Sequence, residues 1–230
     1  MKRLLVPMLL ITIIVLGSRH AQAIMIDTFD TPQGPIFGDG VSSSLANPAG
    51  AIGNRTITVK TTTGDPADVV AKVTEVLDET VFKYSQGAGS QGLATIVWDG
   101  FNADFSRAGL EVVIDIIEAD QGGAFLHFLF EDSSGLTKEK IIDLPQQLFT
   151  PGGSILALRV PFQGFTGAGN LSDIDKITMT IDGTKVYSLD TQIGFVAAQT
   201  PEPGTMVLLG TGLIGLLGYG WWRTKQTSAA

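Results

Sequence analysis

The sequence predicts an all-β fold, an antiparallel β-sandwich, for the central part of the chain. Short runs of apolar and β-branched residues alternate with polar residues at a period of two, which is typical of antiparallel strands with one buried face. Segments rich in glycine, proline and aspartate separate these runs, as turns separate strands. About ten such strands without a strong helical pattern favour two packed sheets over an α/β fold.

Two of the strand-like runs show the alternation clearly. Residues 110–116 place aliphatic side chains on one face, with Glu111 and Asp115 on the other, and residues 177–181 alternate in the same way. Residues 65–79 also fit helical spacing, but their β-branched valines and threonine favour a strand. The predicted strands are residues 25–29, 55–62, 69–76, 81–85, 93–98, 110–118, 124–131, 138–144, 155–162, 176–182 and 185–190.

Composition and charge exclude several classes of site and partner. The 230 residues include no cysteine, which excludes disulfides, thiolate metal sites and cysteine nucleophiles. The net charge is −8, and residues 24–198 alone carry 22 acidic and 10 basic side chains, a balance of −12. Because nucleic acid and anionic lipid repel such a domain, we expect no nucleic-acid partner.

The N-terminus has the pattern of a secretory signal peptide. A positively charged start precedes an apolar run at residues 4–16, and the small residues Ala21 and Ala23 stand at the −3 and −1 positions that signal peptidase needs. We expect a signal peptide at residues 1–23, cleaved after Ala23, followed by the sandwich domain at residues 24–197. An N-terminal membrane anchor is the alternative, but the apolar run is short for a span.

The C-terminus has the pattern of a single transmembrane helix. Residues 205–222 contain no charge, and a helix of this length spans roughly 27 Å, close to the hydrocarbon core of a bilayer. A polar, proline-rich linker at residues 198–204 precedes the helix, and the tail of residues 223–230 carries Arg223 and Lys225. These basic residues predict a cytoplasmic tail. A plain C-terminal anchor and a buried core element are the alternatives.

The tripeptide Pro201, Glu202 and Pro203 stands just before this apolar run. The tripeptide, the glycine-rich helix and the basic end resemble, in this order, the PEP-CTERM sorting signal of exported Gram-negative bacterial proteins. The resemblance implies recognition and processing at the tripeptide by an exosortase, a membrane transpeptidase-like enzyme. It also implies a transient stay in the inner membrane, with the domain on the periplasmic side. Delivery to the cell surface or extracellular matrix would follow, where such proteins are often associated with exopolysaccharide and biofilm.

Two details of the tail bear on this resemblance. Gly212, Gly215 and Gly218 form a narrow stripe of small residues, where another helix can approach closely, as a membrane-embedded processing enzyme requires. The basic end is commonly a run of arginines in the family, whereas this chain has only Arg223 and Lys225. A plain anchor explains the helix but not the tripeptide, so the sorting signal is favoured.

The middle of the chain resembles galactose-binding-like jelly rolls, which include carbohydrate-binding modules and cell-surface domains. The residues that carry the resemblance are 26–30 at the start and 161–165, 170–174 and 177–181 near the end. It implies a jelly-roll sandwich in which the opening strand pairs with a closing strand, which we place at residues 187–190.

Many domains of this kind hold a structural calcium ion between the first and last strands. Calcium takes six to eight oxygen ligands, so carboxylates and backbone carbonyls suffice. By this resemblance Asp27, Asp30 and Asp190 are the candidate ligands, with no other cofactor expected. The alternative is that they are strand-end residues that satisfy turns.

Sugar binding generally combines an aromatic ring with polar groups that form hydrogen bonds. Trp98, His127 and Arg159 are the candidate contacts for an exopolysaccharide or another glycan. Trp98 alternates with Ile96 and Ala94, which is also typical of a core or rim aromatic residue, and that interpretation is favoured.

Catalytic residues are scarce in this sequence. A serine–histidine–aspartate triad would need His127, which fits a half-buried strand position better, and no G-x-S-x-G motif is present. Glu111 and Asp115, with Glu118 or Glu131 nearby, offer paired carboxylates, but ordinary solvated strand faces look the same. We therefore expect a structural or adhesive protein without enzymatic activity. A carbohydrate-binding module and a glycan hydrolase or lyase are the alternatives.

Overall fold

The computed structural model describes residues 23–76, 78–106, 110–146, 148 and 156–199 of the chain. These residues form thirteen β-strands and two short 3-10 helices, Pro66–Asp68 and Phe162–Gly164. The strands are β1 (Ile24–Asp27), β2 (Gln33–Phe37), β3 (Asp39–Leu45), β4 (Asn54–Thr63), β5 (Val69–Val76), β6 (Glu79–Gln86), β7 (Gln91–Ala103), β8 (Glu111–Ala119), β9 (Phe125–Asp132), β10 (Thr137–Asp143), β11 (Leu156–Pro161), β12 (Ile174–Asp182) and β13 (Asp190–Gln199).

Two antiparallel sheets make up the domain, which confirms the predicted sandwich. One is seven-stranded in the order β11-β8-β13-β6-β5-β2, with β1 also paired to β13, and the other is six-stranded in the order β10-β9-β12-β7-β4-β3. β6 pairs with β13 as far as Ile193, and β1 pairs with the same edge of β13 from Val196 onward. The opening strand therefore pairs with the closing strand, as the jelly-roll resemblance implies.

The core lies between the sheets and follows the predicted period of two. β9 and β12 bury alternate residues and point the residues between them outward. Four phenylalanines fill one end, with ring centroids 5.1–6.0 Å apart. Stacked and edge-on aromatic contacts of this kind add about 0.5–1.5 kcal/mol per pair beyond the burial of their area. The four are Phe105, Phe130, Phe162 and Phe165.

The predicted strand at residues 185–190 is wrong, because this segment forms turns and the closing strand is Asp190–Gln199. The sandwich thus reaches two residues beyond the predicted boundary at residue 197. β2 and β3 were not predicted at all. Their glycines, serines and cis-proline are typical of loops. Backbone pairing with β5 and β4 nevertheless makes both segments strands. The ambiguous segment forms the strand Val69–Val76, as preferred.

The predictions for the two ends of the chain lie outside the described residues, apart from Ala23 and from Ala198 and Gln199 of the predicted linker. None of the helices in the described part of the chain is both long and apolar enough to span a membrane. The predicted site residues that lie outside the described part of the chain are Ala21, Pro201, Glu202, Pro203, Gly212, Gly215, Gly218, Arg223 and Lys225.

Candidate functional site

A fully buried polar cluster joins the opening strand to the six-stranded sheet. Nη1 of Arg55 donates to both carboxylate oxygens of Asp27, at 3.0 and 3.1 Å, and its Nε donates to Oε1 of Gln33 at 2.8 Å. The indole Nε1 of Trp98 donates to Oδ2 of Asp27 at 2.7 Å. The side chains of Asp27, Arg55 and Trp98 are 0% exposed. This cluster holds the sheets together and has no surface for a ligand.

The buried cluster corrects the prediction for Trp98. A tryptophan ring without exposed surface cannot stack on a sugar, so Trp98 is the core aromatic residue that its alternation also predicted. Both oxygens of Asp27 are occupied by Arg55, Trp98 and the amide of Phe29. Burial raises the pKa of Asp27, and Arg55 opposes this most strongly.

The three candidate calcium ligands do not come together. Asp27 pairs with Val196 of β13, and Asp190 lies six residues earlier on that strand, about 20 Å away at roughly 3.3 Å per residue. Asp30 is exposed and accepts a hydrogen bond from Thr28 at 2.7 Å. Among the described residues, no group of three or more acidic or histidine side chains has the geometry of a metal site. Asp27 is instead held in the buried cluster, where one of its oxygens also accepts from the amide of Phe29.

The remaining two predicted sugar contacts lie on different sheets. His127 faces outward from β9, with its side chain 35% exposed and Nε2 2.9 Å from Oε2 of Glu139. Arg159 faces outward from β11, with Nη1 3.6 Å from Oε2 of Glu111. His127 is the half-buried strand histidine that the sequence favoured. The two residues cannot contact one ligand unit.

The predicted carboxylate pair is on one strand face, but it is widely spaced. Glu111 and Asp115 are four residues apart on β8, or roughly 13 Å at 3.3 Å per residue. Glycosidase carboxylates are separated by about 5–9.5 Å. Glu131 belongs to the other sheet, where it pairs with Lys176 at 2.7 Å. This pair does not have the geometry of a glycosidase.

The outward side of the six-stranded sheet carries two rows of hydroxyl groups that cross neighbouring strands. We call the surface formed by these rows on β3, β4, β7 and β12 the hydroxyl face. Strand register aligns each row, because residues directly opposite each other share a face. The first row is Ser42, Thr58, Thr95 and Thr180; the second is Ser44, Thr56, Val97 and Thr178.

Hydrogen bonds within the rows fix six of these seven hydroxyl groups. Ser42 and Thr58 are 2.6 Å apart between hydroxyl oxygens, Ser44 and Thr56 are 2.8 Å apart, and Thr95 and Thr180 are 3.1 Å apart. The β-branched threonines also have few rotamers. A hydroxyl has one donor and two acceptor positions, so each retains capacity for a ligand. The face is thus a pre-organised, uncharged hydrogen-bonding surface.

Charged and aromatic groups border this hydroxyl face. Lys60, Asp99 and Asp182 lie in the flanking rows of the same sheet. Phe125 is paired with Asp182, and the ammonium of Lys185 lies 4.6 Å from its ring centroid. The charged groups thus lie alongside the two central rows, and the first row ends at His127, which is paired with Thr180.

Sequence reasoning missed the hydroxyl face because the strand register is not visible in one sequence. The sequence does contain one signal, a recurring pattern in which a core residue separates two residues with hydroxyl groups. Thr56-Ile57-Thr58 and Thr178-Met179-Thr180 both have it. Only pairing shows that these segments lie at the same level of one sheet.

Residues 199–223 match the PEP-CTERM protein-sorting motif, as the tail predicted. The match begins at Gln199, the last residue of β13, which pairs with Glu111 of β8. The motif therefore follows the folded domain without a spacer.

Several solved structures resemble the chain in fold while sharing few of its residues. A family 11 carbohydrate-binding module of a cellulase from Clostridium thermocellum is 14% identical, with a TM-score of 0.43, over 78% of this chain and 95% of the module. The same kind of module in complex with a β-1,3-1,4-mixed-linked tetrasaccharide is also 14% identical, with a TM-score of 0.44, over 79% of this chain and 96% of the module. The agarase AgWH50C is 15% identical, with a TM-score of 0.44, over 78% of this chain and 25% of the enzyme. Comparison with curated protein sequences gives no match.

Proposed function

We propose that this chain is an exported protein that an exosortase sorts through its PEP-CTERM motif, and that its sandwich is then placed at the cell surface or in the extracellular matrix. The match at residues 199–223 carries the proposal. The motif implies a secreted protein with a transient membrane anchor. In this proposal the recognition and processing site is formed by Pro201, Glu202 and Pro203. The glycine-rich helix anchors the chain in the membrane until it is processed.

The position of the motif supports processing next to a folded domain. Gln199 ends β13, and Pro203 follows four residues later, at most about 14 Å along an extended chain. This distance is close to the diameter of one helix. An enzyme that binds the tripeptide therefore works directly at the end of the sandwich.

Mass spectrometry of the mature C-terminus from cells tests the sorting proposal. We expect a product that ends within the tripeptide region in the wild type. Replacing Glu202→Gln together with Pro203→Ala should leave unprocessed chains in the membrane. Ser228→Ala lies outside the matched residues and should be processed normally. An intact wild-type end at Ala230 would overturn the proposal and indicate a permanent anchor.

Glycan binding by the hydroxyl face is the second candidate function. Its support is the two uncharged rows with fixed hydroxyl groups, which can exchange hydrogen bonds with the hydroxyls of a neutral sugar chain. The balance of −12 over residues 24–198 disfavours an anionic polysaccharide. The ligand class in this proposal is therefore a neutral glycan, such as an uncharged exopolysaccharide.

Binding of the mature protein to an array of neutral glycans tests the second candidate. Thr58→Val and Thr95→Val keep the side-chain shape and remove the hydroxyls, so each should weaken binding about five-fold, since one hydrogen bond contributes about 1 kcal/mol. Thr74→Val, on the outward side of the seven-stranded sheet, is the control and should bind normally. Absence of binding to every glycan, or equal binding by all variants, would rule this function out.

A further inference from the structure

An open depression lies where the edge strands of the two sheets meet. β2 is the last strand of the seven-stranded sheet, β3 is the last strand of the six-stranded sheet, and Gly38 alone connects them. Each strand has one residue more than its partner, between Gln33 and Ile36 in β2 and between Asp39 and Ser42 in β3. Such bulges bend a strand and redirect its side chains. The depression has a volume of about 180 Å³, and its lining includes Pro35, Phe37, Asp39, Val41, Ser42 and Ser43.

Hydrogen bonds hold the two edge strands in place around this depression. The carbonyl oxygen of Gly38 accepts from the amide of Thr61 of β4 at 2.7 Å, which fixes the connection between the strands. Nε2 of Gln33 donates to the carbonyl oxygen of Ser43 at 2.7 Å and to its hydroxyl oxygen at 3.2 Å, which joins β2 to β3. The depression is therefore pre-formed, as small-molecule sites usually are.

The apolar part of the lining is exposed. Phe37 is 45% exposed and Val41 is 59% exposed, and Pro35 between the sheets is exposed as well. Among the described residues, Phe37 and Tyr187 are the two aromatic side chains with a large exposed surface, and Tyr187 does not line this depression. Single exposed apolar residues need no explanation, but several that line one depression indicate a ligand with an apolar face.

The polar part of the lining provides hydrogen-bonding groups beside the apolar part. Asp39 is exposed, and its Oδ1 accepts from the amide of Val41 at 3.0 Å, which orients the carboxylate. An ionised carboxylate has about four acceptor positions, so it can also accept from the hydroxyls of a ligand. Lys60 is paired with Asp39 on β4, so a positive charge neighbours the negative one. This balance favours a neutral ligand that carries hydroxyl groups.

The depression is continuous with the hydroxyl face. Ser42 lines the depression and is also the first residue of the first row, where its hydroxyl oxygen lies 2.6 Å from that of Thr58. From Ser42 the row crosses three strand spacings to Thr180, about 14 Å at roughly 4.8 Å per spacing. A glycan chain that lies along this row therefore reaches the depression at one end.

We propose that the depression binds one neutral hexose unit of a glycan that lies on the hydroxyl face, with an apolar face of the sugar against Phe37 and a sugar hydroxyl donating to Asp39. The inference rests on the proposed glycan binding and names the residues that recognise one unit. A hexose ring with equatorial hydroxyls has C–H groups on its faces and hydroxyls at its edge, so it matches both parts of the lining. The volume is below the roughly 300–1,000 Å³ of pockets for drug-sized ligands, so it suits a single unit.

Calorimetry with the mature protein tests the site, using a β-1,4-linked glucose tetrasaccharide as the probe. Phe37→Ala should weaken binding about ten-fold, because an aromatic anchor is lost, whereas Phe37→Tyr keeps the ring and should bind nearly as the wild type does. Asp39→Asn keeps an acceptor for the amide of Val41 but removes the charge, and it should weaken binding about five-fold. Leu136→Ala is the control, since Leu136 is 50% exposed and directly precedes β10 at the opposite edge of the sheet.

Full affinity in Phe37→Ala or in Asp39→Asn would overturn the inference. If Thr58→Val is weakened in the same assay, glycan binding by the hydroxyl face stands without the depression. A wild type that does not bind the tetrasaccharide would also overturn the inference, whereas the hydroxyl face fails only if the whole array of neutral glycans is negative. Equal losses in Phe37→Ala and Leu136→Ala would contradict a local site.

Sedimentation of the wild type and of Phe37→Ala tests the competing occupant, a second copy of the chain. We expect both proteins to sediment as monomers. A wild-type dimer that Phe37→Ala dissociates would show that a second copy covers the depression, and it would contradict sugar binding there. Should Phe37→Ala unfold at a lower temperature, Asp39→Asn still tests the site, because it changes only an exposed charge.

Discussion

Replacing Arg55→Ala should destabilise the sandwich by about 3–5 kcal/mol, because it leaves the carboxylate of Asp27 buried and unpaired. Arg55 donates to both oxygens of Asp27 and to Gln33, and its guanidinium lies 5.6 Å from the ring centroid of Phe29. All of these contacts are lost together, and a cavity remains. Urea unfolding of the mature protein, followed by circular dichroism, measures the change. A loss below about 1 kcal/mol would refute the view that this cluster holds the sheets together.

A matched control is available in the exposed ion pair of the seven-stranded sheet. Arg159 lies 3.6 Å from Glu111, with its side chain 52% exposed. Arg159→Ala makes the same chemical change at the surface and should alter stability by no more than about 1 kcal/mol. The double replacement Asp27→Ala with Arg55→Met should be more stable than Arg55→Ala alone, because no buried charge remains.

Two further changes test the outer face and the turns. The pKa of Asp115 is about 6 in the folded protein, against about 3.9 in an unfolded chain, so the folded state binds the proton more tightly and stability falls as the pH rises between these values. Asp115→Asn should therefore be about 1 kcal/mol more stable than the wild type at pH 7 and equal to it at pH 3.5; a less stable variant at pH 7 would contradict this. Gly53→Ala should cost at least about 2 kcal/mol in thermal unfolding, since φ is 70° and a Cβ would lie 2.1 Å from the carbonyl oxygen of Asp99. Gly135→Ala, with φ at 78° and nothing within 4 Å, carries the backbone strain alone and should cost about 1 kcal/mol, so equal losses would rule out the close contact as the cause.

Periodicity predicted the strands whose two faces differ in solvent exposure. β12 alternates buried and half-buried residues from Ile177 to Asp182, and its pattern is plain in the sequence. β13 gave a weaker signal, because bulges interrupt its register and Gly194, Ala197 and Ala198 are small. The formation and register of such a central strand depend on pairing with its neighbours on both sides and not on alternation in its own sequence.

The polar sites were less accessible to sequence reasoning than the strands. Arg55 shares a strand face with Ile57 and Val59, and this phase is the signal from which its burial could have been predicted. Asp27 could not be identified as that partner, because the residues are 28 apart in sequence and their contact depends on how the sheets pack.

The first residue of the sorting motif is still part of the sandwich. Gln199 ends β13 and is paired with Glu111 of β8, and Ala198 beside it is paired with Ile24 of β1. The tripeptide begins at Pro201, two residues after the last residue of β13. Processing at the tripeptide, as proposed, would therefore leave every residue of β13 and all of its pairing in the domain.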